Sequence, residues 1–342
     1  MTTLIRRGPL RPFDGTITDD NPFRVIADGA VATRDGVVLS AGRAPEIIAA
    51  FPEAVVVPTD TVMVPFLCDA HTHFPQTRIV GTYAGGLLDW LETVTFPEEM
   101  RFADPHYGAT VAAEFFDRCE AVGTTEVMVF CTSHPASVDA LFEEALARSL
   151  KVTAGLVMMD RNAPSPLLTP AQEAYDQTKA LIERWHGADE GRLSYAITPR
   201  FAPTSTPALL EAAGTLWREH PSCILQSHLS ESEEEVAWVR RLFPGARDYV
   251  DVYAQFGCLG EGAIFAHAIH LSAREMGALA EAGAVVAHCP TANRFLGSGR
   301  CDVAALRKAG VTVRLGTDIG AGTTFDIMKV AQVAEGVAGI SS

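Results

Sequence analysis

From residue 62 onward, eight short apolar runs rich in β-formers recur, each followed by a longer segment. This alternation limits the possible fold more than any other feature. The runs are "VMVPFLCD" (62–69), "TEVMVFC" (125–131), "KVTAGLVMM" (151–159), "LSYAITP" (193–199), "CILQSHL" (223–229), "AIFAHAI" (263–269), "AVVAHC" (284–289) and "VTVRLGT" (311–317). Helical spacing marks 107–121, 136–149, 171–186, 207–219, 232–243 and 273–282, many opening on Ser, Thr or Pro as a cap would. Eight strand–helix alternations with apolar strands predict an α/β chain closed as a parallel (β/α)8 barrel rather than an open doubly wound sheet. Residues 1–61 read differently. There "RVIADGAVATRDGVVLSAGRA" (24–44) alternates apolar and polar residues around "DG" turns, as a hairpin with a solvated face does. The expected division is a small β-module over 1–61 and the barrel over 62–342.

Charge and cysteine usage narrow the function classes. A formal net charge of −15 argues against binding a phosphate backbone or an acidic membrane surface, which need clustered Lys and Arg. A small neutral or basic ligand is easier to accommodate. The seven cysteines are scattered and form no C-x-x-C pair, so neither a disulfide framework nor a zinc ribbon is indicated. With no apolar stretch of membrane-spanning length and no secretory h-region in "MTTLIRRGPLRPFDG", the expected location is a reducing cytoplasm.

The chemistry gathers where the strands should end. In a strand, i and i+2 share a face, which points Asp69, His71 and His73 the same way at the end of the first barrel strand. His228 closes the fifth strand, His267 the sixth and His288 the seventh, and Asp318 follows the eighth. Reactive groups in such barrels sit at these C-terminal ends. Three neutral imidazoles and a carboxylate suit Zn²⁺ or Fe²⁺ with one position left for water. His71 and His73 alone would read equally well as a satisfied polar pair; His228 and Asp318 at matching strand ends favour the metal.

Glu231 stands three residues past His228 in "SHLSESEEE", within reach of a metal-bound water, where a carboxylate can shuttle protons. The competing reading of this run is a helix start, with Ser230 and Glu233 as a capping box and Glu233, Glu234 and Glu235 as a solvated face. Arg200 and Phe201 follow the fourth strand. An arginine there can pair with any carboxylate and a phenylalanine can be core, but at a barrel mouth the two suit a planar, carbonyl-bearing ligand. "GGLLDWLETVTFPEE" (85–99) fits a long loop or helical lid over the mouth, or a packed excursion away from it. His134 and His288 could line the mouth or be structural, and Cys68 and Cys289 read as small packing groups.

"DAHTHFPQ", "LLDWLETVTFPEE", "ITPRFAPT", "QSHLSESEEE", "FAHAIHLS", "AHCPTANRFLGSG" and "GTDIGAGTT" together resemble the amidohydrolase superfamily, most narrowly its branch that deaminates guanine. The resemblance implies a barrel of the metallo-dependent hydrolase type with an N-terminal β-sandwich module. It also implies one zinc or iron ion per chain, held by His71, His73, His228 and Asp318, with Glu231, His267 and Asp318 catalytic. Gln76 and Arg200 would read the guanine edge and Phe201 would cover the base. The implied reaction is hydrolysis of guanine to xanthine and ammonia in purine catabolism by a homodimer. A deaminase of another amino-heterocycle (a pterin, a triazine, another purine), or a remnant that only binds, stays open as an alternative. Members of this branch continue further after the position of Asp318, so the sandwich module is expected to be incomplete. The other deaminase architecture needs H-x-E with P-C-x-x-C, and "HCPTAN" carries no second cysteine.

Overall fold

The computed structural model describes residues 2–11 and 25–339. Met1 and residues 12–24 and 340–342 lie outside it, and with them both ends of the stretch 1–15 and the end of the tail. The chain divides into two compact units, Met1–Phe66 and Leu67–Ser342.

In the first unit, β1 (Leu4–Leu10), β2 (Ile26–Arg34), β3 (Val37–Arg43) and β4 (Val55–Pro58) form one sheet in the order β3-β2-β1-β4. The hairpin between β2 and β3 turns on Asp35 and Gly36, both at positive φ (51° and 81°), the conformation a two-residue primed turn requires. The other "DG", at Asp28 and Gly29, is no turn. Gly29 lies inside β2, where a Cβ would stand 2.3 Å from the Leu10 Cβ. Helix α1 (Ala44–Ala50) covers this sheet through Ala44 and Ile47, packed with Ile5, Ala30 and Ala32. The module is therefore, among the described residues, a sheet under a helix rather than two facing sheets. Val62–Phe66, expected to begin the first barrel strand, belongs to this unit, where Met63 bridges Leu10.

The second unit is the barrel. Its strands are β5 (Leu67–His73), β6 (Thr124–Phe130), β7 (Lys151–Gly155), β8 (Val157–Met158), β9 (Leu193–Pro199), β10 (Ile224–Leu229), β11 (Ala263–His267), β12 (Val285–His288) and β13 (Thr312–Leu315). Eight of them run in the order β5-β6-β7-β9-β10-β11-β12-β13, with β8 paired to β9, and every ladder is parallel. The single run expected at 151–159 is split at Leu156, whose N–H leaves the ladder to donate to the Tyr195 hydroxyl at 3.0 Å. Closure between β13 and β5 comes from the Asp318 N–H donating to the His71 carbonyl at 2.8 Å. Thr317 N–H adds a bond to the buried Asp69 carboxylate at 2.9 Å. This seam brings Asp69 and His71 beside Thr317 and Asp318.

Around the strands stand α2 (Leu87–Trp90), α3 (Phe96–Met100), α4 (Pro105–Ala121), α5 (Pro135–Arg148), α6 (Ala171–Trp185), α7 (Pro207–Glu219), α8 (Glu233–Leu242), α9 (Tyr249–Gln255), α10 (Ala273–Glu281), α11 (Pro290–Phe295), α12 (Val303–Ala309) and α13 (Ile327–Gly339). Their apolar stripes bury Phe115, Phe116, Leu141, Phe142 and Leu209 against Val127, Tyr195, Leu225 and Phe265 of the strands, as helices on a parallel sheet must. Inside the barrel, Gln226 is satisfied by donating to the Val129 carbonyl and to Thr198 Oγ1, each at 3.0 Å. No helix among the described residues is long and apolar enough to cross a membrane.

Candidate metal centre and adjoining pocket

The residues singled out in the sequence converge at the C-terminal ends of the strands. β5 carries a register shift between Asp69 and Thr72, and the bulge separates the acid from the histidines. Asp69 accepts from the Thr317 and His71 N–H groups and from the Thr317 hydroxyl, so it closes the barrel instead of facing the cluster. Burial pushes its carboxyl up to about 6, against the lowering by those bonds.

His71 and His73 are buried. His73 Nε2 lies 3.3 Å from His71 Nε2 and 3.1 Å from His228 Nε2. Asp318 Oδ1 lies 3.2 Å from His71 Nε2 and 3.3 Å from His73 Nε2. Ligands around a tetrahedral ion with bonds of 2.0–2.1 Å are about 3.3 Å apart, so these spacings match such a shell. Ligand atoms of His71, His228, His267 and Asp318 also lie within 4.8 Å of one another. His267 is the outlying imidazole, with its Nε2 3.9 Å from Asp318 Oδ2 and 3.3 Å from Glu231 Oε2.

The protonation pattern also suits a cation. His228 Nδ1 donates to the Arg200 carbonyl at 2.7 Å, which leaves its Nε2 lone pair aimed at the cluster. Burial drives the His71, His73 and His228 rings towards the neutral form, His73 down to about 3. Burial opposes ionisation of Asp318, but its hydrogen bonds to His71 and His73 outweigh that and hold it well below the usual carboxylate range. Imidazoles held towards the neutral form around a carboxylate held ionised are a donor set that a divalent cation satisfies.

Strain accompanies this arrangement. Ser230, His267, Ala268 and Asp318 all adopt positive φ (49°, 71°, 49° and 52°), conformations that non-glycine residues hold only where the surroundings impose them. Glu231 follows the first of these and is buried. Its Oε1 accepts from Ser298 Oγ at 3.1 Å. Burial and then the Asp318 carboxylate push its carboxyl up to about 8. The helix cap lies two residues further on. The capping box is Ser232 with Glu235 rather than Ser230 with Glu233, because Ser230 is turned into the left-handed region. Glu233 and Glu234 are exposed, but Glu235 is fully buried, accepting from Tyr249 Oη at 2.7 Å and from the Glu231 N–H at 2.7 Å.

Beside the cluster lies a cavity lined by His73, His228, Glu231, His267 and Asp318 together with Gln76, Arg200 and Phe201. Leu87, Trp90 and Leu91 form part of its wall, so the 85–99 segment, two short helices joined by a π-helical turn over Leu91–Thr95, covers the mouth. Gln76 ends the short 3-10 turn after β5, and Phe201 sits 6.4 Å from the His228 ring. Sequence reasoning missed three groups. Asn293 Oδ1 accepts from His267 Nδ1 at 2.9 Å, Ser298 holds Glu231, and the fully buried Glu99 accepts from Gln76 and Arg200. Only the position of Glu99 in the candidate lid could have drawn notice, and nothing there distinguishes it from Glu98. Cys68 proves exposed, unlike the packing role expected of it, whereas Cys289 and His288 are buried and His134 is half-buried.

Comparison with known proteins follows the same outline. The amidohydrolase family matches residues 62–337. The chain is 43% identical over 329 residues to guanine deaminase of Escherichia coli strain K12, covering 94% of this chain and 74% of that one. It is 42% identical over 324 residues to a probable guanine deaminase of Deinococcus radiodurans, covering 91% and 73%. Among solved structures, C. acetobutylicum guanine deaminase with guanine bound in the active site superposes with a TM-score of 0.92 at 30% identity, covering 99% of this chain and 80% of that one.

Proposed function

The chain belongs to the amidohydrolase family, and we propose from that premise that it hydrolyses guanine to xanthine and ammonia. One observation carries the reading. The imidazole–carboxylate cluster faces Gln76, Arg200 and Phe201 across a single cavity, in a chain similar over 94% of its length to a guanine deaminase.

In this reading His71, His73, His228 and Asp318 hold one ion, and zinc is the proposed occupant because imidazole and carboxylate donors at tetrahedral spacing suit it. A divalent ion bound there supplies Lewis acidity and makes water nucleophilic near neutral pH. The chain's own residues supply the rest. Glu231, kept protonated by burial, gives a proton to the ring nitrogen beside the amino-bearing carbon. Asp318 Oδ2, the oxygen turned towards His267, receives the proton that water releases. His267, with Nδ1–H fixed on Asn293, turns its Nε2 towards Glu231 and orients the nucleophile. Asp318 passes that proton to the amino nitrogen and the hydroxyl added to the ring carbon returns one to Glu231 as the carbon–nitrogen bond breaks, so that ammonia leaves and xanthine remains. Gln76 and Arg200 hold the ring edge and Phe201 covers its face, while Leu87, Trp90 and Leu91 keep bulk water out.

A panel of amino-heterocycles tests this assignment. Ammonia release from guanine, adenine, a pterin and an amino-triazine should show guanine with the highest kcat/KM. A pterin or triazine turned over faster would move the chain to another branch of the family.

A further inference from the structure

Glu99 has no part in the chemistry above, yet it joins the two polar groups that face the substrate. It does not line the cavity. Its Oε1 accepts from Gln76 Nε2 at 3.1 Å and its Oε2 from Arg200 Nη1 at 2.7 Å, with all three side chains buried. Building on the guanine reading, we infer that Glu99 is a positioning residue that makes the cavity select purines bearing a ring carbonyl.

An ionised carboxylate only accepts, so the Gln76 amide must turn its NH₂ towards Glu99. Its Oε1 then lies against Gly320, where an added Cβ would stand 1.9 Å from that oxygen. Gly320 has φ +118°, a conformation that also excludes a side chain. The amide is thus held at both ends. It leaves an acceptor for a ring N–H.

Arg200 is fixed in the same way. With Nη1 committed to Glu99 and its guanidinium 5.4 Å from the Phe96 ring centroid, the remaining guanidinium donors are left for a carbonyl oxygen. Glu99 also cancels the arginine's charge, so the wall suits a neutral heterocycle rather than an anion. Both anchors of the clamp, Phe96 and Glu99, come from α3. One short helix therefore sets the orientation of both readers.

The experiment compares guanine with 2-aminopurine, which keeps the amino-bearing carbon but lacks the ring carbonyl. Wild type and Glu99→Gln are measured as kcat and KM, or as an inhibition constant against guanine where a compound is not turned over. Metal content and thermal midpoint are recorded for both proteins. The substituted amide would set an NH₂ against the donors of Arg200 or Gln76. The kcat/KM for guanine should then fall about 10- to 100-fold, chiefly through KM, the scale of one charge-assisted hydrogen bond. The 2-aminopurine value should change less than about threefold. Equal losses on both purines, or no loss on guanine, would overturn the role of Glu99 and leave the activity standing. Wild type that turns over neither purine would remove the activity and this inference together. If Glu99→Gln does not fold, Glu99→Asp carries the same comparison, with a smaller loss expected on guanine alone.

Discussion

His73 and His267 are both buried beside Asp318, and their distances from it separate the roles proposed for them. Three neighbours lie within 3.3 Å of His73 Nε2, whereas His267 Nε2 is 3.9 Å from Asp318 and leans on Glu231. Metal analysis of His73→Ala and His267→Ala should therefore find the first largely depleted. The second should stay loaded but have kcat lowered about 100-fold or more. The opposite order would exchange their roles. At this scale the sequence was informative wherever a strand end coincided with a chemically loaded residue, as at His71, His73, His228 and Asp318. It was silent on Glu99, Asn293 and Ser298, because each acts through a hydrogen bond to a residue far away in the chain.

The start of α8 shows how an element fixes a functional residue. Glu235 serves as both the cap partner of Ser232 and the acceptor for the Glu231 N–H, so the helix N-terminus holds Glu231 in place. Burial, then the Glu231 carboxylate, raises the Glu235 carboxyl from 4.5 to about 7. A carboxyl raised in the folded state keeps its proton longer than in the unfolded chain. Its favourable contribution is full below pH 4.5, declines as pH rises to about 7, and is flat above. Glu235→Gln can keep one oxygen for the Glu231 and Ser232 N–H groups while its NH₂ donates to the Tyr249 hydroxyl oxygen, and it lacks this slope. Its stability relative to wild type should improve between pH 4.5 and 7, by about 3 kcal/mol at most. Denaturant titrations at several pH values check this, and a constant difference across the range would contradict it. The long helices α4 to α8 and α10 were legible from their periodicity. The shorter α9, α11 and α12, with seven, six and seven residues, make too few turns to show a repeat. The capping box was misplaced by two residues because two serines offer themselves and only the backbone strain at Ser230 decides between them.

For the whole molecule, the alternation of eight apolar runs was enough to give the barrel, since parallel strands buried on both faces leave few other closures. The closure itself was not legible. Asp69 lies on the face-sharing pattern of His71 and His73, and only the bulge in β5 turns it to Thr317 at the seam. Because β5 and the segment after β13 both supply the cluster, an ion bound there ties the barrel's first and last strands together. Stripping metal with a chelator should lower the thermal midpoint, and added zinc should restore it, as for any ligand bound only by the folded state. An unchanged midpoint, with metal loss verified, would mean the cluster contributes nothing to closure. The link between this site and guanine hydrolysis is tested most directly by following guanine with purified, zinc-supplied protein, measuring xanthine and ammonia together, beside Glu231→Gln of equal metal content. We predict equimolar products from the wild type and a rate about 10²- to 10⁴-fold lower from the variant. A folded, zinc-loaded wild type that releases no ammonia from guanine would contradict the account.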